Sequence, residues 1–368
     1  TRWRLSPPNA LPECIHLLDQ NTEEWFKGAS PGARGETQNM PTIKDVARKA
    51  GVSVGTVSRV LSKNESVKQP LKERVLAAMK ELDYKPNLAA RALRTNSIDV
   101  IGLVVPDITN PFFSQLAKNI EMEAAKRGHS VMLANSHDDE EAEQTQIAAL
   151  LDRAVCGVIV VATSDGGQTH KADVPIVSLD RRFGPYPLVA TDHFDGSAKI
   201  ADHLVGLGHR RIAYIAGPQS MEVARQRREG FVARIKALST PEDPITLTVH
   251  EGHFDYDSGE DIGRSILKDT SRETRPTAIA AASDQQAIGV LRCARDLKIA
   301  IPADLSVTGF DDIALAALVV PRLTTLRQPI EQLAGSAVAR IFAGEAAADE
   351  AIAGEIVVRE STGNIPNP

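Results

Sequence analysis

The chain has 368 residues, of which 42% are hydrophobic, and its 48 acidic and 42 basic side chains leave a net charge of −6. That length supports two or three domains and that apolar content supports packed cores, while no apolar run approaches the roughly 18 residues of a membrane helix. Cys14, Cys156 and Cys293 are too scattered for a disulfide or metal framework, so a reduced, cytoplasmic chain without metal or cofactor is expected, with Cys156 and Cys293 as packing residues.

Residues 1–40 carry no hydrophobic period and no layout of a secretory signal. They are expected to be a disordered extension or sequence upstream of a true start at Met40. From Pro41 to Asn96, twelve Lys/Arg oppose five Asp/Glu, a surplus of +7, whereas everything from Ser97 onward sums to −12. A small cationic head on a large acidic body implies that the head meets phosphate and the body does not.

The head begins at Thr42, whose spacing to Asp45 predicts a capping box. Ile43, Val46, Ala47 and Ala50 then form one apolar stripe, and Gly51 ends the helix. Ser53 caps a second helix that buries Val57, Val60 and Leu61. Two short helices joined at a glycine fit a helix-turn-helix, whose second helix enters the major groove. Val54, Gly55, Thr56 and Arg59 are left facing outward. Arg59 is suited to guanine, Val54 to a thymine methyl, and Gly55 to close approach; Ser53, Thr56 and Ser58 suit phosphate oxygens, and Thr42 joins this DNA-facing set. Val75, Leu76, Met79 and Leu82 predict a third helix. Asn87 to Leu93 is an alanine-rich stretch too short to be a stable lone helix.

After Ile98, buried strands alternate with amphipathic helices in two successive runs, which predicts two lobes of doubly wound parallel sheet. Ligands of such sheets lie outside the carboxyl ends of the strands, so polar residues just past strands are the candidates. No glycine-rich phosphate loop follows a strand and no nucleophile–base pair is evident, which argues against an enzyme. Among polar residues, Asp284 and Asp312 are expected to cap helices. The run of residues 137–144 reads as a solvated helix start, Asp192 as a structural strand-end residue, His193 as a lobe-interface or solvent residue, and His209 as packing at a helix end. Asp192, His193 and Asp195 do not close a metal set.

"IKDVARKAGVSVGTVSRVL", "YKPNLAARAL", "IGLVVPDITNPFF", "LGHRRIAYIAGP", "ASDQQAIGVL", "VTGFDD" and "LTTLRQPI" together resemble the lactose/galactose-repressor family of transcriptional regulators. The resemblance implies an α/β fold class: an all-α helix-turn-helix DNA-binding head over residues 41–84, a hinge helix and linker over 85–97, and a bilobed, periplasmic-binding-protein-like core over 98–365. The N-lobe would take about 98–191 plus 329–353, and the C-lobe about 192–328 plus 354–365. It implies a hinge that folds when two copies meet over the operator, with Leu93 wedged into the minor groove and Asn87 and Ala90 beside it. It further implies an effector site, with a sugar as ligand, made by Asn110, Phe112, Phe113, Asp180, Arg181, Arg227, Phe254, Ser283, Asp311 and Gln328. Ser283 departs from the asparagine that sugar binders often carry there. The expected function is a repressor that grips a pseudo-palindromic double-stranded operator and is gated by a small molecule. The absence of heptads after the core favours a homodimer without membrane attachment; the alternative is a sugar-binding receptor without DNA function.

Overall fold

A computed structural model describes residues 41–61, 67–84, 99–167, 169–170, 172–268, 271, 274–343 and 348–365. The expectations for residues 1–40 and for the hinge, including Asn87, Ala90 and Leu93, lie outside the described residues. The chain divides into two compact units, one ending at Asn87 and the other beginning at Leu88.

The first unit contains α1 (Ile43–Ala50), α2 (Val54–Leu61) and α3 (Gln69–Glu81). The Asp45 carboxylate accepts hydrogen bonds from the Thr42 backbone N–H (2.9 Å) and hydroxyl (2.6 Å), so the capping box forms as the spacing predicts. Gly51 closes α1 in the left-handed region with φ 62°. Arg74 of α3 donates to the carbonyls of Ala50 (2.5 Å) and Gly51 (3.2 Å), satisfying oxygens that the helix end leaves without partners. Ser53 Oγ accepts the Thr56 N–H at 3.1 Å and starts α2. Val46, Ala47, Ala50, Val57, Val60, Val75 and Ala78 bury the interior between the three helices. Leu76 departs from the predicted stripe and is 55% exposed. One residue along a helix is a 100° rotation, and with Val75 inward the next core position is Ala78.

The second unit runs β1 (Val100–Val105), α4 (Pro111–Lys126), β2 (Ser130–Asn135), α5 (Glu140–Asp152), β3 (Gly157–Val160), β4 (Ile176–Leu179), β5 (Leu188–Thr191) and α6 (His193–Gly206). It continues with β6 (Arg211–Ala216), α7 (Glu222–Leu238), β7 (Thr246–Glu251), α8 (Tyr256–Leu267), β8 (Ala278–Ala281), α9 (Asp284–Asp296) and β9 (Ser306–Asp311). β10 (Thr324–Arg327), α10 (Ile330–Ala343), β11 (Glu350–Ile352) and β12 (Glu355–Val357) complete it. One sheet has the order β11-β5-β4-β3-β1-β2 and the other β12-β10-β9-β8-β6-β7. All pairings are parallel except that of β12 with β10. Central strands such as β1, "VIGLVV", are apolar at nearly every position because helices cover both faces of a parallel sheet. The chain passes between the sheets three times: after Thr191, after Gln328 and after Ile352.

β5, β10, β11 and β12 carry 4, 4, 3 and 3 residues, and the sequence did not predict them. The acidic run at 137–144 starts a helix capped by Asp139, but it is not wholly solvated. Glu143 shares the sheet-facing side of α5 with Ile147 and Leu150, is buried, and accepts the Thr163 N–H at 2.6 Å. Burial pushes its carboxyl above the usual range. Neither Asp284 nor Asp312 caps a helix: Ser283 caps α9, Asp284 accepts the Ile313 N–H (2.8 Å) and the Thr325 hydroxyl (2.5 Å), and Asp312 pairs with Arg327 and Arg359. His209 is buried at the end of α6, bonded to the hydroxyls of Thr277 and Ser306 at 2.9 Å each, as a packing residue would be. Cys293 is buried and Cys156 half-buried, and burial raises both thiols. Among the described residues, no helix is long and apolar enough to cross a membrane.

Candidate functional site

Two surfaces collect the expected site residues. On the head, Thr42, Ser53, Val54, Gly55 and Arg59 are exposed and Thr56 and Ser58 half-buried, so the expected DNA-facing set shares the outer side of α2 and the start of α1. The Ser53 and Thr56 hydroxyls bond each other at 2.9 Å, and Arg59 Nε leans back toward the Gly55 carbonyl at 3.4 Å. The guanidinium therefore lies along the helix toward its N-terminal turn, the part of a second helix that reaches base edges.

The second surface is a cavity between the two sheets of the second unit. It is lined by Asn110, Phe112, Phe113, Asp180, Arg181, Val223, Arg227, Phe254, Ser283 and Asp311. Their segments lie at or follow the carboxyl ends of β1, β4, β6, β7, β8 and β9, where crevices of doubly wound sheets lie. Asn110 caps α4 by accepting the Phe112 N–H at 3.0 Å, which turns the next two rings into the wall, edge to face at 5.4 Å. The Arg181 guanidinium sits 5.1 Å over the Phe113 ring and 4.0 Å from the Asp180 carboxylate, and donates to the Ala162 carbonyl at 3.3 Å. Its buried Nε has no hydrogen-bond partner among the described residues.

Arg227 is fixed by α7, which Gly230 lets approach the start of α6: a Cβ on Gly230 would lie 2.1 Å from the Phe194 carbonyl oxygen. The Arg227 guanidinium stacks 3.9 Å over Phe310 and 5.4 Å from the Phe254 centroid, donates to the Ala282 carbonyl at 2.6 Å, and meets Asp311 at 3.3 Å. Burial pushes the Asp311 carboxyl up to about 6 against the opposing pull of Arg227, and the same desolvation, with the nearby Asp311 charge, drives Asp284 well above the usual carboxylate range.

His193, at the first turn of α6, joins the lobes. Its Nδ1 accepts from Arg227 Nε at 3.3 Å, which leaves the proton on Nε2, facing Asp180 Oδ1 at 3.5 Å. Burial, followed by the Arg227 charge, lowers its pKa, so the ring is neutral. Burial alone would raise Asp180, but the nearby His193 ring and the positive Arg227 and Arg181 hold it low. The sequence placed His193 at a lobe interface or in solvent; it is buried at the interface. Phe310 and Thr191 escaped sequence reading. Phe310 is one residue before the flagged Asp311 and reads as an ordinary strand apolar residue. Gln328 does not line the cavity. Its amide donates to Asp311 at 2.7 Å and its oxygen accepts the Thr191 hydroxyl at 2.6 Å. Carboxylates, guanidinium groups and aromatic faces in one cleft can bind a ring of hydroxyls, which both donate and accept. Among the described residues, no group of three His, Cys, Asp or Glu is placed to hold a metal ion.

Two family profiles match: bacterial regulatory proteins, lacI family, over residues 42–87, and periplasmic binding protein-like domain over residues 201–362. The ribose operon repressor of Halalkalibacterium halodurans is 38% identical over 80% of this chain and 87% of its own length. The ribose operon repressor of Escherichia coli K12 is 35% identical over 80% and 90%. A lac repressor dimer bound to operator and the anti-inducer ONPF superposes with a TM-score of 0.72 at 30% identity, over 88% of this chain and 99% of that one. A LacI family regulator from Enterococcus faecium with bound ribose superposes with a TM-score of 0.63 at 29% identity, over 73% and 100%. With the helix-turn-helix, the paired sheets and these relatives in agreement, the chain belongs to the lacI family of bacterial regulatory proteins.

Proposed function

We propose that the chain is an effector-gated repressor: as a homodimer it holds a double-stranded DNA operator through two copies of α2, and a sugar in the interlobe cleft sets the strength of that hold. The observation that carries this reading is convergence. Nine of the ten residues expected at an effector site line one cavity, and they arrive from segments of both lobes. A ligand touching both lobes has differential affinity for their relative orientations, which is what gating requires. The two ribose operon repressors and the ribose-bound relative make D-ribose the first sugar to test. We read the role as binding without turnover, exercised in the cytoplasm where DNA is reached.

Calorimetric titration of the full chain with D-ribose and other pentoses, beside anisotropy measurements on a selected DNA fragment, tests the reading. Arg227→Ala should weaken sugar binding at least about tenfold, since hydrogen bonds to charged groups contribute about 1.5–3 kcal/mol. Its affinity for DNA without sugar should stay within about twofold. A variant whose DNA release by sugar matches the parent chain would refute the site.

A further inference from the structure

Helix α7 carries Val223 and Arg227 to the cavity wall, yet it begins without a cap of its own: Met221, at its N-cap, makes no side-chain bond. The cap comes from the other lobe. Asp165, in the loop after β3, accepts the Glu222 N–H through Oδ1 at 2.9 Å and the Arg225 guanidinium through Oδ2 at 2.6 Å. One carboxylate thus meets the positive end of a helix and a cation of its first turn. The loop that bears Asp165 is fixed: buried Glu143 holds the Thr163 N–H at 2.6 Å, and the Gly166 carbonyl accepts the Gly184 N–H at 2.5 Å. Arg225 also donates to the Gln219 carbonyl at 2.9 Å, bracing the segment that leads into α7. The contact lies where a ligand must pass. An outer cavity of about 340 Å³ shares Asn110, Phe113, Arg181 and Phe254 with the inner one, and its wall includes Thr163, two residues before Asp165, and Met221, directly before Glu222. β4 separates β3 from the crossing strand β5, and β8 and β9 separate β6 from β10, so the contact joins the lobes away from their crossings.

We propose that Asp165 is a positioning residue for the effector: by clasping α7 from the opposite lobe, it holds the cleft shut over a bound sugar and sets the rate at which the sugar leaves. The idea rests on the reading of the cleft as the effector site. Neither Asp165 nor Arg225 lines either cavity, so changing them removes no ligand contact. What is lost is a bond made only while the lobes are together: when they part, the Glu222 N–H and the Arg225 charge must turn to water. A sugar already inside then escapes sooner, whereas its entry into an open cleft is unaffected, so the change falls on dissociation. The pair is partly exposed, with Asp165 at 30% and Arg225 at 40%, and salt screens it. Dissociation from the parent chain must therefore quicken with ionic strength.

Association and dissociation rates of isotope-labelled D-ribose, read by NMR exchange spectroscopy on the full chain, test this. Asp165→Ala should speed dissociation about tenfold, the loss expected for one helix cap, with association within about twofold of the parent. Asp165→Asn keeps an oxygen for the Glu222 N–H and gives up the charge, so it should speed dissociation about threefold. Between about 50 and 500 mM salt the parent's dissociation should quicken about threefold and that of Asp165→Asn should stay constant. Adding Arg225→Gln to Asp165→Asn should change little further, because the two side chains act as one contact. Unchanged dissociation in Asp165→Ala, a loss of affinity carried by association instead, or a salt dependence that survives in Asp165→Asn would overturn the proposal. A ligand-free measurement keeps the two readings apart. Amide hydrogen exchange at Glu222 should speed up in Asp165→Ala, with β1 and β6 unchanged; equal exchange there overturns the clasp whatever sugar binds. A parent chain that binds no sugar, with exchange at Glu222 raised in the variant, refutes the effector reading while upholding the clasp.

Discussion

At the scale of single residues, the cleft is a balance of charges stripped of water. Asp311 is the group whose state is easiest to move, because burial brings its carboxyl up to about 6 while Asp180 stays low and His193 stays neutral. Arg227, Arg181, Asp284 and Gln328 surround it. A sugar hydroxyl donates to an ionised carboxylate more strongly than to a carboxylic acid, so binding favours the ionised form. Sugar affinity should therefore fall as pH drops through about 6 and level off above about 7. Asp311→Asn should flatten the profile between pH 5 and pH 7; a titration in which the variant keeps the parent's slope would show that another group sets it. Nine of the ten cleft residues could be picked by their positions after strands and by the family resemblance. Phe310, Thr191 and the contacts that bury His193 at the interface could not, because they depend on residues 13 to 137 positions away that no local pattern encodes.

At the scale of elements, boundaries set by local chemistry were legible and those set by packing were not. Gly51 and Ser53 declare the turn between α1 and α2 because each answers a backbone need within a few residues. Gly51→Ala places a Cβ 2.7 Å from Arg74 Nη2 at φ +62°, so the head should lose about 1–2 kcal/mol of stability in urea unfolding. A loss below about 0.3 kcal/mol would mean that Arg74 moves aside and the left-handed turn is unstrained. Leu76 was misplaced at the edge of its stripe, and Glu143 because no local pattern shows that a carboxylate in the sheet-facing row meets the Thr163 N–H. His209 ties the end of α6 to the flanks of β8 and β9. Burial lowers its pKa from 6.5 to about 4, so protonation favours the unfolded chain: the stability is fully present above pH 6.5 and is lost as pH falls toward 4. The shift corresponds to about 3 kcal/mol at most. Asp311, a raised acid, contributes the opposite slope between about 4 and 6, so the clean reading is a difference. His209→Gln should lose less stability than the parent between pH 6.5 and 4.5 in thermal unfolding; parallel pH curves would contradict the assignment.

At the scale of the whole chain, the fold was legible because two runs of alternating strands and helices can close only as two covered parallel sheets. What the alternation could not give is the threefold passage between them, since β5, β10, β11 and β12 are short strands made by their neighbours rather than by their own sequence. Under the proposed reading, that passage turns two half-sites into one cleft and gives a ligand purchase on orientation. The head's surplus of +7 against −12 from Ser97 onward then assigns DNA and small molecule to different parts of one chain. The most direct test is DNA binding by the full chain over salt from 50 to 300 mM, with and without D-ribose, beside the Arg59→Ala variant. The account predicts a sequence preference that falls steeply with salt, changes at least about tenfold on adding sugar, and is lost in Arg59→Ala with the fold intact. DNA affinity that is equal for all fragments, and indifferent to every sugar tried, would contradict it.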